Sequence, residues 1–154
     1  MILTNGLTLA IEEMNDSLIE EIKPLALRHW IAVGRKDVTF SPQYENYKAL
    51  DKAGMSVCLT VREIGTLVGY AIFLIRRHPY YSETFYATND VIFLDKQARK
   101  GLNGYNFIKM CEKKMELIGA NVIEWGTTLE RNFGVLLERI GYQATRMIYE
   151  RRIS

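Results

Sequence analysis

The hydrophobic pattern divides the chain into strand-like and helix-like stretches. Leu7, Leu9 and Ile11 fall on one side of an alternating run, which predicts a first strand. Leu18, Ile22, Leu25 and Trp30 follow at helical spacing, and Tyr44, Tyr47 and Leu50 do so again after Pro42. Val57 to Val61 and Leu67 to Ile75 read as two strands around the tight turn Glu63-Ile64-Gly65-Thr66, a hairpin. Arg77 to Tyr86 is polar and aromatic and reads as a loop. The short apolar run Val91-Ile92-Phe93-Leu94 predicts a buried strand. After Gly104 the period is helical, with Phe107, Ile108, Cys111, Met115 and Ile118 on one face. Val122 to Thr128 reads as a strand, Arg131 to Ile140 as a short helix, and Tyr142 to Arg152 as a last extended segment.

Local signals mark the boundaries. Asn15-Asp16-Ser17 is a helix-start cluster, with Glu20 placed as the capping-box partner of Ser17. Pro24 is awkward inside that helix unless a second segment begins there. Pro42 suits the first position of the next helix, and Gly54 and Gly119 suit helix ends. The order β-α-α-β-β-β-α-β-α-β predicts an α/β (α+β) chain: a mixed, mostly antiparallel sheet of six to seven strands, with helices on both faces.

The stretch with most chemical content joins the strand ending at Leu94 to the helix after Gly104. Between them lies Arg99-Lys100-Gly101-Leu102-Asn103-Gly104. Backbone N–H groups at a helix start lack intrahelical partners and sit at the positive end of the helix dipole. A glycine-containing turn of this kind is a ready site for a phosphate or pyrophosphate, and Arg99 and Lys100 add charge of the right sign. A Walker A loop would need Gly-Lys-Ser/Thr, which is absent, and a dinucleotide fingerprint would need three glycines where only Gly101 and Gly104 stand.

The spacing resembles the acetyl-coenzyme A loop of the GNAT N-acetyltransferase superfamily, R/Q-x-x-G-x-G/A. Arg99 takes the first position and Gly104 the last. Leu102 stands where the middle glycine is usual, with Gly101 one residue early. Leu94 lies five residues before Arg99, where that family places the apolar residue whose backbone pairs with pantetheine. Asp90 lies four residues before Leu94, where many members carry an acid. Asn132-Phe133-Gly134-Val135-Leu136-Leu137-Glu138-Arg139-Ile140-Gly141-Tyr142 resembles the family's N-x-x-A-x-x-L-Y-E-K-x-G-F signature. With Pro42-x-Tyr44 upstream, the R-K-G-x-x-G variant looks most like GNAT proteins of tailed-phage genomes.

The resemblance implies a three-layer fold over one domain, residues 1–154, with a central parallel strand pair that splays apart near Leu94 and Thr128. It implies acetyl-CoA (coenzyme A) as the cofactor. Phe93 and Leu94 would offer backbone groups to the pantetheine arm, and Arg99, Lys100, Gly101, Leu102, Asn103 and Gly104 would hold the pyrophosphate. Asn132 would contact the arm, cap the following helix, or do both. The implied reaction is acetyl transfer to a primary amine.

An alkyl amine has an unperturbed pKa of about 10.4, so its attack needs a base. Asp90 is the first candidate, directly or through a water, provided burial raises its pKa; its structural alternative is a hydrogen bond to Thr88, Asn89 or a strand end. Glu124, between Ile123 and Trp125, is the other acid in an apolar strand, and a paired carboxylate is its structural alternative. The family often protonates the leaving thiolate with a tyrosine where Leu137 stands here, so Tyr142, Tyr105 or solvent must serve. His78, Tyr80 and Tyr81 lie in the loop that borders the acceptor cleft in that family, and are substrate candidates or a loop pin. His29 reads as structural.

Composition narrows the classes. Of 154 residues, 48% are hydrophobic, which excludes a disordered chain. The 20 Lys and Arg against 18 Asp and Glu give a net charge of +2, so nucleic acid is an unfavoured partner. Cys58 and Cys111 sit in apolar patterns as expected for buried free thiols, no Cys/His cluster has zinc spacing, and no run spans a bilayer, which together suggest a cytoplasmic protein without a metal. An amine acceptor, a small molecule or a protein, is the expected partner, and the family's frequent dimers leave a homodimer open. The alternative to an enzyme is a GNAT-fold regulatory module that keeps the cofactor without turnover.

Overall fold

The computed structural model describes residues 6–130 and 132–153. Five strands form one sheet in the order β1-β2-β3-β4-β5: Leu7–Glu12, Ser56–Glu63, Thr66–Arg77, Phe85–Leu94 and Val122–Glu124. All neighbours are antiparallel except β4 and β5, which run parallel. Four helices complete the described residues: α1 Asp16–Val33, α2 Tyr44–Lys52, α3 Asn103–Leu117 and α4 Gly134–Arg139. The mixed sheet follows the expected order, with fewer strands. Strand β5 ends at Glu124 rather than Thr128, and the segment after Tyr142 is exposed and lies outside the sheet, so the parallel pair closes one end of it.

Alternation along the strands explains the two cores. One face of the sheet carries Leu7, Leu9, Leu59, Val61 and Phe73, and meets Phe107, Cys111 and Met115 of α3. The other face carries Cys58, Tyr70, Ile72 and Phe93, and meets Leu18, Ile22 and Leu25 of α1. Both cysteines are buried free thiols, and burial pushes Cys58 up to about 12. Ile118, expected on the buried face of α3, is 37% exposed because the helix ends at Leu117; Met110 is buried in the same helix.

Three boundary expectations change. Helix α1 begins at Asp16, capped by Asn15, whose Oδ1 accepts from Leu18 N at 3.0 Å, so Ser17 lies inside the helix. It also runs straight through Pro24, which is exposed; water can serve the carbonyl left without its N–H partner, while five buried side chains hold the helix. Helix α2 starts at Tyr44, beyond Pro42. Position 131, the expected start of the last helix, lies outside the described residues.

The hairpin between β2 and β3 turns on Ile64 (φ 48°) and Gly65 (φ 82°), both left-handed, as a two-residue turn between twisted strands requires. A β-branched residue is strained there, and Ile64 is 95% exposed. Ile64→Asn is therefore expected to stabilise the protein by about 1 kcal/mol, read as a higher urea midpoint at unchanged slope.

Beside this hairpin, Arg62 donates to Gly65 O at 2.9 Å and sits between two carboxylates. Its Nε and Nη2 donate to Glu12, and its Nη1 and Nη2 donate to Glu21, at 2.6–2.9 Å. Hydrogen bonding to Arg62 holds both acids below their ordinary value of 4.5. Lowered folded-state values mean this contribution is complete above about pH 4.5 and fades as pH falls through them. Urea midpoints between pH 3 and 7 are expected to fall more steeply below pH 4.5 in the native protein than in Arg62→Met.

Candidate active site

The elements around the end of β4 build the site. Strand β4 pairs with β5 only at Tyr86–Val122, Ala87–Ile123 and Thr88–Glu124. From Asn89 to Leu94 it keeps only β3 as a neighbour. Asp95 N donates to Val68 O at 2.8 Å, so strand alternation turns the polar groups of Leu94 the other way, toward the gap. The gap opens where the chain after Glu124 leaves the strand.

The register of β3 and β4 shifts at the same place. Ile72 pairs with Val91 and Phe73 with Asn89, which leaves Asp90 as the extra residue of a bulge. Bulges re-aim side chains and are frequent beside active sites. Asp90 is exposed, so the burial expected for a base is not found; its Oδ2 instead accepts a short hydrogen bond from the Tyr47 hydroxyl of α2. Burial first, then Asp90, raises the pKa of Tyr47, which keeps its proton.

The basic turn follows. A 3₁₀ turn, Lys96–Ala98, leads through Gly101 (φ 57°) into α3. The amides of Gly104 and Tyr105 reach no hydrogen-bond acceptor among the described residues, as a helix start predicts. A Cβ on Gly104 would meet open space. Asn103 is buried and ties the turn down, donating from Nδ2 to Ala98 O at 2.9 Å. Arg28 of α1 grips the turn from the other side by a bidentate pair with Asp95, at 3.1 and 2.8 Å. Lys100 and Leu102 are exposed at its surface. Arg99 Nε donates to Leu94 O at 2.6 Å, and its guanidinium lies 5.9 Å from the Phe93 ring. That folds Arg99 back onto the strand end, beside the gap.

Other sequence candidates fall elsewhere. Glu124 is a clamp: Oε2 accepts from Thr88 at 2.7 Å and Arg76 at 3.3 Å, and Oε1 accepts from Arg146 at 2.6 Å. It ties β3, β4, β5 and the C-terminal segment together where the parallel pair ends. Asn132 Oδ1 accepts from Gly134 N at 2.7 Å and from Thr127 Oγ1 at 3.1 Å, so its side chain serves the start of α4. The Tyr142 hydroxyl donates to Glu112 Oε2 at 3.2 Å, and burial pushes its pKa up to about 12. Leu137 is buried.

His78 forms a ring cluster with Tyr81 (4.6 Å) and Tyr86 (5.5 Å), and its Nδ1 accepts from Tyr80 N at 3.1 Å. This loop enters β4 at Phe85, four residues before the gap opens at Asn89 and nine before Leu94. His78 and Tyr81 pack on each other and on Tyr86 and so pin the loop at that end of the strand.

On the α1 and α2 face lies a cavity of about 400 Å³, with Tyr70, Ile72 and Val91 of the sheet in its lining. Trp30, Phe40, Tyr44 and Tyr47 line it from the helices and their connection. Trp30 and Phe40 pack at 5.4 Å, and the Trp30 Nε1–H is buried without an acceptor among the described residues. His29 lines the same cavity against Phe93, at 5.3 Å. Burial, then the charge of Arg99, lowers its pKa below 6.5, so the imidazole is neutral at pH 7. Sequence reading missed this cavity. Its only trace was a cluster of aromatics on α1 and α2 in excess of what packing on a sheet needs.

No family model and no curated protein matches the sequence. Solved structures do match. The ribosomal-protein-alanine N-acetyltransferase of Brucella melitensis biovar Abortus 2308 is 19% identical, with 96% of this chain and 99% of that chain covered at a TM-score of 0.70. A predicted acetyltransferase with acetyl-CoA from Clostridium acetobutylicum is 9% identical, with 96% of each chain covered at 0.72. A transcriptional regulator of Bacillus halodurans C-125 is 16% identical, with 95% of this chain and 100% of that chain covered at 0.76. The chain has the fold of the GNAT N-acetyltransferases. Among the described residues no helix is long and apolar enough to cross a membrane.

Proposed function

We propose that the protein transfers an acetyl group from acetyl-coenzyme A to a primary amine. The observation that carries this reading is the open edge of β4 over Asn89–Leu94, with the amides of Gly104 and Tyr105 in the first turn of α3, which reach no acceptor among the described residues, at its end. Two amide-rich features in line suit a pantetheine arm and a pyrophosphate. The residues fit: a Cβ-free Gly104, a left-handed Gly101 and a cationic Lys100 border the turn. Bound there, the cofactor supplies an activated acetyl thioester.

The chain's own residues then have distinct tasks. Amides of β4 facing the gap are the donors for a carbonyl oxygen placed beside the strand. Asp90, exposed and held by Tyr47, relays the proton from the amine nitrogen through a water. Glu124 keeps the gap open at its fork. The Tyr142 proton already engages Glu112, so solvent is the simplest donor to the departing thiolate.

Isothermal titration with coenzyme A, followed by free-thiol release from acetyl-coenzyme A with candidate amines, tests the reading. Binding below about 1 mM and amine-dependent thiol release are expected; absence of binding removes it. A second reading, a cofactor-holding regulatory module, is favoured by the buried Leu137 at the position of the family's tyrosine. Coenzyme A binding without thiol release for any amine would select it.

A further inference from the structure

The cavity beneath α1 and α2 differs from the amide-rich gap in kind. Trp30, Phe40, Tyr44, Tyr47 and Tyr70 line it with five aromatic rings beside the His29 imidazole, and Ile22 is among the aliphatic positions. Its size, about 400 Å³, suits a small molecule. Asp90 adjoins the cavity through Tyr47, and the bulge that exposes Asp90 lies next to Val91 of the lining.

Two polar groups of the lining are already engaged: Arg35 is paired with Asp37 at 2.7 Å and Glu150 at 3.0 Å, and the Tyr47 hydroxyl donates to Asp90, while the buried Trp30 Nε1–H lacks an acceptor among the described residues. Tyr70 is buried, and burial followed by neighbouring groups that include Asp90 raises its pKa. Rings make up most of the lining, so a molecule with a hydroxyl on every carbon would set most of them against aromatic faces without partners, which is costly. A hydrocarbon ring would exchange water for aromatic faces in offset or edge contact. A protonated amine at its end would meet tyrosine faces and a carboxylate. Asp90 would then lie at the amine and the rings around the body.

We propose that this cavity receives the acceptor, and that the acceptor is a small primary amine on an arylalkyl body. The proposal rests on the acetyl-transfer reading above and adds the substrate class. It makes the sheet a divider: the thioester comes to the open edge of β4, the amine comes from the α1 and α2 face, and the two meet at the Asp90 bulge.

Isothermal titration of the full chain with 2-phenylethylamine, tyramine, glucosamine and spermidine is the test, with coenzyme A titrated separately. The two arylalkylamines are expected to bind at one site below about 1 mM, and the other two at least tenfold more weakly. Val38→Trp, which fills the cavity from an exposed loop position, and Phe40→Ala, which removes a ring, are each expected to weaken arylalkylamine binding at least tenfold. Thermal melts identify a variant that misfolds, and the other then decides. Equal or tighter binding of glucosamine or spermidine overturns the inference, as does arylalkylamine binding untouched by both variants. Coenzyme A binding without arylalkylamine binding overturns it and leaves acetyl transfer standing. Arylalkylamine binding without coenzyme A binding upholds the cavity's ligand class and removes the transfer reading.

Discussion

Asp90→Asn is expected to lower kcat/KM for amine acetylation by about 10²–10⁴-fold, the usual worth of a positioned base. Asparagine keeps the size of the side chain and can still accept from Tyr47, but it cannot take a proton. Asp90 is exposed and lies at the unpaired position of the β4 bulge, so no core packing depends on it. Its melting temperature is expected to stay close to that of the native protein and its coenzyme A affinity within about twofold, which separates loss of chemistry from loss of binding. Tyr47→Phe removes only the hydrogen bond that orients the carboxylate, and a smaller loss, about tenfold, is expected from it. The competing base is His29, neutral at pH 7 and facing the same cavity. Full activity in Asp90→Asn together with its collapse in His29→Gln would transfer the role.

Gly69→Val is expected to cost about 1–3 kcal/mol of stability by overpacking, and to weaken coenzyme A binding far more than that loss alone suggests. A Cβ at Gly69 would stand 2.8 Å from Phe93 O, 2.7 Å from Leu94 Cδ1 and 3.2 Å from Leu94 Cα. Two of these neighbours are backbone, so the strand must give way. Strand β4 has no partner on its other edge at this point, so the displacement runs into the gap that the pantetheine arm would occupy. A fall in urea midpoint with a tenfold or greater loss of coenzyme A affinity is the expected pair of results. Gly104→Ala provides the contrast: its Cβ meets nothing within 4 Å, so the urea midpoint is expected to stay near native, while coenzyme A binding weakens because the pyrophosphate would need that space. Native coenzyme A affinity in Gly69→Val would sink the placement of the arm along β4.

Local patterns carried much of this into the sequence. Alternation revealed β1, and apolar runs revealed β2, β3 and the last four residues of β4, whose first part, from Phe85, reads as loop and as polar residues before the strand; a change of period at Gly104 revealed α3, because side-chain spacing follows backbone geometry directly. Turn chemistry revealed the hairpin at Ile64-Gly65 and the helix end at Gly54, with its left-handed φ of 69°. The basic turn was legible for the same reason, since glycine and charge placement are properties of a few adjacent residues. Strand β5 was overextended because Trp125 is apolar in sequence yet packs edge-on to Phe73, Phe133 and Tyr142 after leaving the sheet.

The sequence by itself determined the mixed fold, the glycine-containing basic turn before α3 and the position of an acid, Asp90, four residues before Leu94. Each is written in neighbours along the chain, where periodicity, glycine and charge act within a few residues. Only the tertiary structure decided that Glu124 is held by Arg76, Arg146 and Thr88, that His78 packs on Tyr81 and Tyr86 where the chain enters β4, and that Trp30, Phe40, Tyr47 and Tyr70 line a cavity. Those facts join residues from separate elements. They depend on strand register, on one bulge and on how two helices lie across a sheet, quantities fixed by long-range packing rather than by any local pattern.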